Sequence, residues 1–196
     1  MKNSRSDILL AALQMFATHG FDAVSLEQIT DNLGMVKSSI YKHFKNKQDI
    51  FDSITDYMAT RDAEFTARFA MPDAASGGTA ALTAFSEFSH AMFDFWTRDK
   101  FAVAFRQMMT IQQYKSPRMR RIYHQYFGVG PVEYTAGIFA AIIGNADAAW
   151  GRAAAFFGIL RMGYDLYDNA KGKAVVASQI HTQIDNFIQR VQNEIH

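Results

Sequence analysis

Proline most constrains what this chain can fold into, because its 196 residues hold only three, Pro72, Pro117 and Pro131. Each forbids a helix interior, so their scarcity leaves long intervals in which helices can run. Those intervals are dominated by Ala, Leu, Met, Phe and Gln and carry few alternating β-branched runs, a pattern that predicts an all-α chain of about nine helices. The first is expected over Arg5 to His19, with Ile8, Leu9, Ala12, Leu13 and Phe16 at helical spacing and Gly20 as its stop. Ser25 with Gln28 is a capping-box pattern, opening a short second helix that carries Leu26, Ile29 and Leu33 and ends at Gly34. A third short helix is expected from Lys37 to Phe44, with Ile40, Tyr41 and Phe44 on one face. A fourth runs from about Lys47 to Phe69, with Ile50, Ile54, Tyr57, Met58 and Phe65 among its buried positions.

Asp73 to Gly78 reads as a loop, followed by helices over Thr79 to Thr97 and Phe101 to Tyr114. Ser116 and Pro117 are the N-cap and first-turn proline of the next, which Gly128-Val129-Gly130-Pro131 must break before it resumes from Val132 to Ile143. Two last helices are expected over about Ala146 to Asp168 and Ala174 to Ile195.

Hydrophobic residues at 49% and charged residues at 20% describe a globular protein. The sum of 20 basic and 19 acidic residues is +1, so any signal for a polyanionic partner must be local. One exists: Lys37, Lys42, Lys45 and Lys47 lie between Asp31 and Asp49 with no acidic residue among them. The absence of cysteine rules out disulfides, thiolate metal sites and zinc fingers, and His90, His124, His181 and His196 are too scattered for a histidine metal pair. No metal and no cofactor are expected. Neither a zinc-protease His-Glu-x-x-His, a dinucleotide Gly-x-Gly-x-x-Gly, a Walker loop nor a Gly-x-Ser-x-Gly is present, so an enzyme is not the expectation. Gln14, Thr18 and His19 interrupt the apolar run near the N-terminus; neither signal peptide nor membrane span is read, and a cytoplasmic protein without membrane contact is expected.

Three short helices with a glycine-containing turn between the second and third match the helix-turn-helix plan, whose last helix enters the DNA major groove. The residues Ile8-Leu9, Phe16, Gly20-Phe21, Ser25, Ile29, Leu33-Gly34, Ser38 and Tyr41 through Ile50 resemble the head of the tetracycline-repressor-like (TetR) family. Thr30 stands where that family usually has alanine, and Met35 where valine is usual; both are packing positions. The resemblance implies a helix-turn-helix DNA-binding domain over residues 1–47 and a larger all-helical ligand-binding and dimerisation domain over 48–196. It implies a homodimeric transcriptional regulator, a repressor released from a palindromic operator by a small, largely apolar or aromatic ligand. The alternative is a constitutive or architectural DNA-binding protein without small-molecule input.

On that resemblance Ser38, Ser39 and Lys42 face the major groove, and Lys37 reads a base or a phosphate. Tyr41, His43 and Lys47 match phosphate-contacting positions, and Ser25 belongs to the same DNA-binding set. Tyr41 as core packing and His43 as a plain surface residue remain open at this stage. In the body, Phe88, Trp96, Phe105 and Met109, with Arg106, Tyr123 and Phe127, are candidates for a ligand cavity, although aromatics at helical spacing equally describe plain core. The last two helices carry small residues (Gly151, Ala153, Ala154, Ala155, Gly158 and Gly163) beside Phe156, Phe157, Ile159 and Leu160, and an apolar stripe (Val175, Ile180, Ile184, Phe187, Ile188, Val191), which the resemblance assigns to the dimer interface. The same stripe would also serve as internal core of a monomer.

Overall fold

A computed structural model describes residues 4–69 and 78–195. Among them there are ten helical segments, or nine when the two halves interrupted at Gly128 count as one, and no strand. The chain divides into two compact units, the first made of Met1–Phe65 with Lys100–Tyr123, the second of Thr66–Asp99 with His124–His196.

The first unit begins with α1 (Arg5–His19), which Ser4 and Asp7 close reciprocally: Asp7 N–H donates to Ser4 Oγ at 3.2 Å and Ser4 N–H to Asp7 Oδ2 at 2.7 Å. Hydrogen bonds from the Ser4 hydroxyl and backbone hold the Asp7 carboxyl below its ordinary range. Gly20 ends α1 with φ 83°, a left-handed backbone that a side chain would strain. The Ser25–Gln28 box opens α2 (Leu26–Asn32) as the spacing predicts. The next helix, α3 (Lys37–Ile40), is shorter than expected. Lys42 and His43 donate to the carbonyls of Ser39 and Ile40 three residues back, so its second half is a run of tighter turns.

From Lys47 to Arg68 runs α4, burying Ile50, Phe51, Ile54 and Met58. Tyr57 and Phe65, expected inside, are not buried; Tyr57 is exposed and packs edge-on against Phe101 at 4.9 Å. That ring belongs to α6 (Lys100–Gln112), which lies against α1 in the same unit. The N-cap Ser116 accepts from Met119 N–H at 3.2 Å, as its position before Pro117 predicts, and starts α7 (Pro117–Phe127). The expected loop over Asp73 to Gly78 falls outside the described residues except for Gly78, where α5 (Gly78–Arg98) begins.

In the second unit α5 joins α8 (Val129–Ile143), α9 (Ala146–Asn169) and α10 (Lys173–Ile195). The middle member is α9, packing against the other three. Gly163 makes this possible: a Cβ there would lie 3.0 Å from the Phe93 ring and 3.1 Å from Ile180. α8 starts at Val129, three residues before the expected resumption, because Pro131 sits in the first turn where no N–H partner is required. A side chain at Gly128 would collide with the His124 imidazole and come within 2.8 Å of its Cα, so the break needs glycine.

Ile180, Ile184, Ile188 and Val191 of α10 are buried inside this unit, against the expectation that the α10 stripe is free for a partner. Val175 at the start of α10 is exposed, and so are apolar residues on the outer face of α9. Gly151, Ala155, Gly158, Met162 and Leu166 follow helical spacing and are all exposed, and Trp150 beside them is exposed rather than part of the core. The run Pro117–Ile143 is long and apolar enough by composition to cross a membrane, with 22% of its apolar window buried. Gly128 divides it, and neither half reaches the roughly 20 residues a span needs.

Candidate nucleic-acid interface and ligand cavity

The α3 region stands on a core of Phe16, Ile29, Ile40 and Phe44, all buried. Thr30 joins that core fully buried, and its hydroxyl donates to the Glu27 carbonyl at 2.8 Å, so the departure from alanine leaves no unsatisfied polar group. Around this base Lys37, Ser38, Tyr41, Lys42 and Lys45 are exposed, with Ser39 and His43 half-buried. Tyr41 at 55% exposure is not a core residue.

The basic cluster separates into three kinds of lysine. Lys37 pairs with Glu27 of α2 at 3.3 Å. Lys47 turns its ammonium inward, donating to the carbonyls of Phe21 (2.7 Å), Asp22 (3.3 Å) and Val24 (2.8 Å) and lying 4.5 Å from the centre of the Phe21 ring. It therefore ties the start of α4 to the turn between α1 and α2. Lys42 and Lys45 hold no ion pair among the described residues and present their charge to solvent. Ser25 uses its hydroxyl on the α2 cap, which leaves the oxygen's remaining hydrogen-bonding capacity outward.

Two residues were missed from sequence. Val36, the residue before α3, is 72% exposed and places a branched apolar group beside the serines, suited to a thymine methyl. Nothing in its spacing marks it. Arg5 braces the site from α1, donating to Ser53 Oγ at 2.8 Å and to the His43 carbonyl at 3.4 Å, with its guanidinium 4.6 Å from the Phe44 ring centre.

Residues 8–54 match the family model for bacterial regulatory proteins of the tetR family. Over these residues the head is similar to the tetR family. Among curated relatives, the HTH-type transcriptional regulator AcrR of Shigella flexneri is 32% identical over 72 residues, 35% of this chain and 34% of that protein. The HTH-type transcriptional repressor AcnR of Corynebacterium glutamicum is 32% identical over 62 residues, 32% of this chain and 33% of that one. The match thus spans about a third of the length of these relatives. For the whole chain, a transcriptional regulator from Aquifex aeolicus shares the fold, with TM-score 0.68, 14% identity, and coverage of 94% of this chain and 99% of the other.

The second unit holds a cavity of about 320 Å³. Met92 and Trp96 of α5 and Tyr126 and Phe127 of α7 form part of its wall. The break supplies Gly128, Pro131 and Val132, and α9 supplies Phe157, Gly158, Arg161 and Tyr164. Trp96 meets Phe127 edge-on at 4.7 Å and Tyr126 at 6.0 Å. Of the seven body candidates, Trp96 and Phe127 line this cavity. Phe88 is buried in the same unit outside that lining, while Phe105, Arg106, Met109 and Tyr123 are buried in the first unit, Arg106 at 3% exposure.

Proposed function

We propose that the chain is a homodimeric, cytoplasmic DNA-binding transcriptional regulator without enzymatic activity, a repressor that a small, largely apolar or aromatic ligand releases from a palindromic operator. The observation that carries this reading is the α3 surface, where Tyr41, Lys42 and Lys45 stand in solvent on a fully buried apolar base. Uncommitted lysines beside serines supply both parts of DNA recognition, charge for phosphates and short hydroxyls for base edges. We set the functional boundary at residues 47 and 48, with Ser25, Lys37, Ser38, Ser39, Tyr41, Lys42, His43 and Lys47 as the DNA-binding set. Lys47 acts there mainly by fixing α4 to the turn before α2.

The second copy sits on the outer face of α9, where Gly151, Ala155 and Gly158 permit close helix approach and Met162 and Leu166 supply apolar contact; α10 contributes its polar surface rather than its buried stripe. Two heads related by a two-fold axis read half-sites roughly 34–36 Å apart. Ligand in the body shifts the population between two arrangements of the heads, and operator affinity falls by the ratio of its affinities for the two.

Selection from genomic fragments with the purified protein, followed by binding across a salt series, tests the reading. A palindromic site whose affinity falls steeply with salt is expected. Weak, sequence-indifferent binding at physiological salt would refute it.

A further inference from the structure

We propose that the second-unit cavity takes a small aromatic or aliphatic carboxylate, with the acid group held by Arg161. This rests on the effector reading above and names the chemistry of the effector. The wall contains one formally charged side chain, Arg161, and no carboxylate. Its other polar side chains are the Trp96 indole, which only donates, and the phenols of Tyr126 and Tyr164, which donate or accept. No side chain of the wall is an obligate acceptor other than the weakly accepting Met92 sulfur. A ligand head that accepts hydrogen bonds matches such a lining, and a negatively charged one also matches its single guanidinium.

A carboxylate does both, and a guanidinium with five N–H donors can hold one alongside its interactions within the protein. A quaternary ammonium would find aromatic faces but would meet the positive charge of Arg161 within the same small space. The hydrocarbon part has Met92, Phe127, Val132 and Phe157 to lie against. At about 320 Å³ the cavity is at the small end of ligand sites, which run from roughly 300 to 1,000 Å³, so the body is a single ring or a short chain.

The two tryptophans make the test direct, since Trp96 is in the wall and Trp150 is exposed elsewhere on α9. In a Trp150→Phe background, Trp96 fluorescence is titrated with phenylbutyrate and octanoate, and with phenylbutyramide and benzyltrimethylammonium as neutral and cationic counterparts. A saturable change with the carboxylates is expected, weakened about tenfold or more by Arg161→Gln and less by Arg161→Lys. Thermal melts of both variants check that they fold. Equal binding of the amide or the ammonium, indifference to Arg161→Gln in a folded variant, or no saturable response to either acid would overturn the proposal. Operator affinity measured in the same titrations separates the two ideas. Arg161-dependent carboxylate binding that leaves operator affinity unchanged supports the acid site and refutes release. Operator release by the amide alone does the reverse.

Discussion

In the head, Ile29, Ile40 and Phe44 are buried so that Ser38, Tyr41 and Lys42 can stand in solvent, whereas in the second unit Trp96 is at once buried core and cavity wall. On the proposed reading, the head divides scaffold from recognition by residue type. On the same reading, the second unit gives both tasks to the same aromatic side chains. It follows that recognition and stability should be separable by mutation at the solvent-facing residues of α3 and inseparable at the aromatic rings of the cavity.

The largest effect should come where the two tasks coincide. Trp96→Ala removes a buried ring that meets Phe127 at 4.7 Å, and a loss of about 3–5 kcal/mol in denaturant unfolding is expected together with loss of cavity binding. Unchanged stability would break the comparison. Ala155→Arg comes next, because it puts a charge in the middle of the exposed α9 stripe. The variant should stay folded yet sediment as a monomer, an interface penalty of about 3 kcal/mol for a buried unpaired charge. A persistent dimer would move the interface elsewhere.

Lys47→Met sharpens the same comparison from inside the head. Its ammonium satisfies three backbone carbonyls, so stability should fall by about 2–3 kcal/mol, as for a core residue. Lys42→Ala should do the opposite: the melting midpoint stays put, while operator affinity drops by about 1–2 kcal/mol and the slope of log K against log salt falls by about 0.9. If Lys42→Ala destabilised the fold and Lys47→Met did not, the roles would be exchanged.

The same division explains what the sequence disclosed. Capping chemistry is local, so Ser25 with Gln28 and Ser116 with Pro117 mark their helix starts at the residues where the structure has them. Charge was legible only as a cluster: that Lys47 points at carbonyls 23 to 26 residues earlier while Lys42 points outward depends on tertiary contact. In the second unit, helical spacing is the same for a ring that fills a core and a ring that borders a cavity. Trp96 and Phe127 therefore came out of the sequence together with Phe105 and Met109, which belong to the other unit. Arg161 and Tyr164 were missed because a cavity is a property of facing helices, and α9 alone gives no sign of which side α5 and α8 leave open.

The smallest predicted effect lies in the second unit as well, where titratable groups sit between α5 and α10 while the head's core is apolar. The imidazoles of His90 and His181 stack at 4.5 Å, His90 3.0 Å from Asp185 and His181 3.2 Å from Asp94, with Arg98 3.3 Å from Asp94 and Ser86 donating to Asp185. Phe93 closes the side of His181 at 5.8 Å. Burial pushes the His181 pKa down, Asp94 opposes it, and the neighbouring His90 and Arg98 add to the fall. With its folded pKa below the unfolded one, His181 takes up its proton more readily in the unfolded chain. Its contribution to stability is therefore complete above the ordinary histidine range and is lost as pH falls through that range toward the lowered value. The melting midpoint should decline modestly between about pH 7 and pH 5, and His181→Asn should flatten the part of the decline that this imidazole causes. A midpoint that rises on acidification and falls back in the Asn variant would mean that Asp94 outweighs burial, making the stacked pair a site that gains rather than resists a proton.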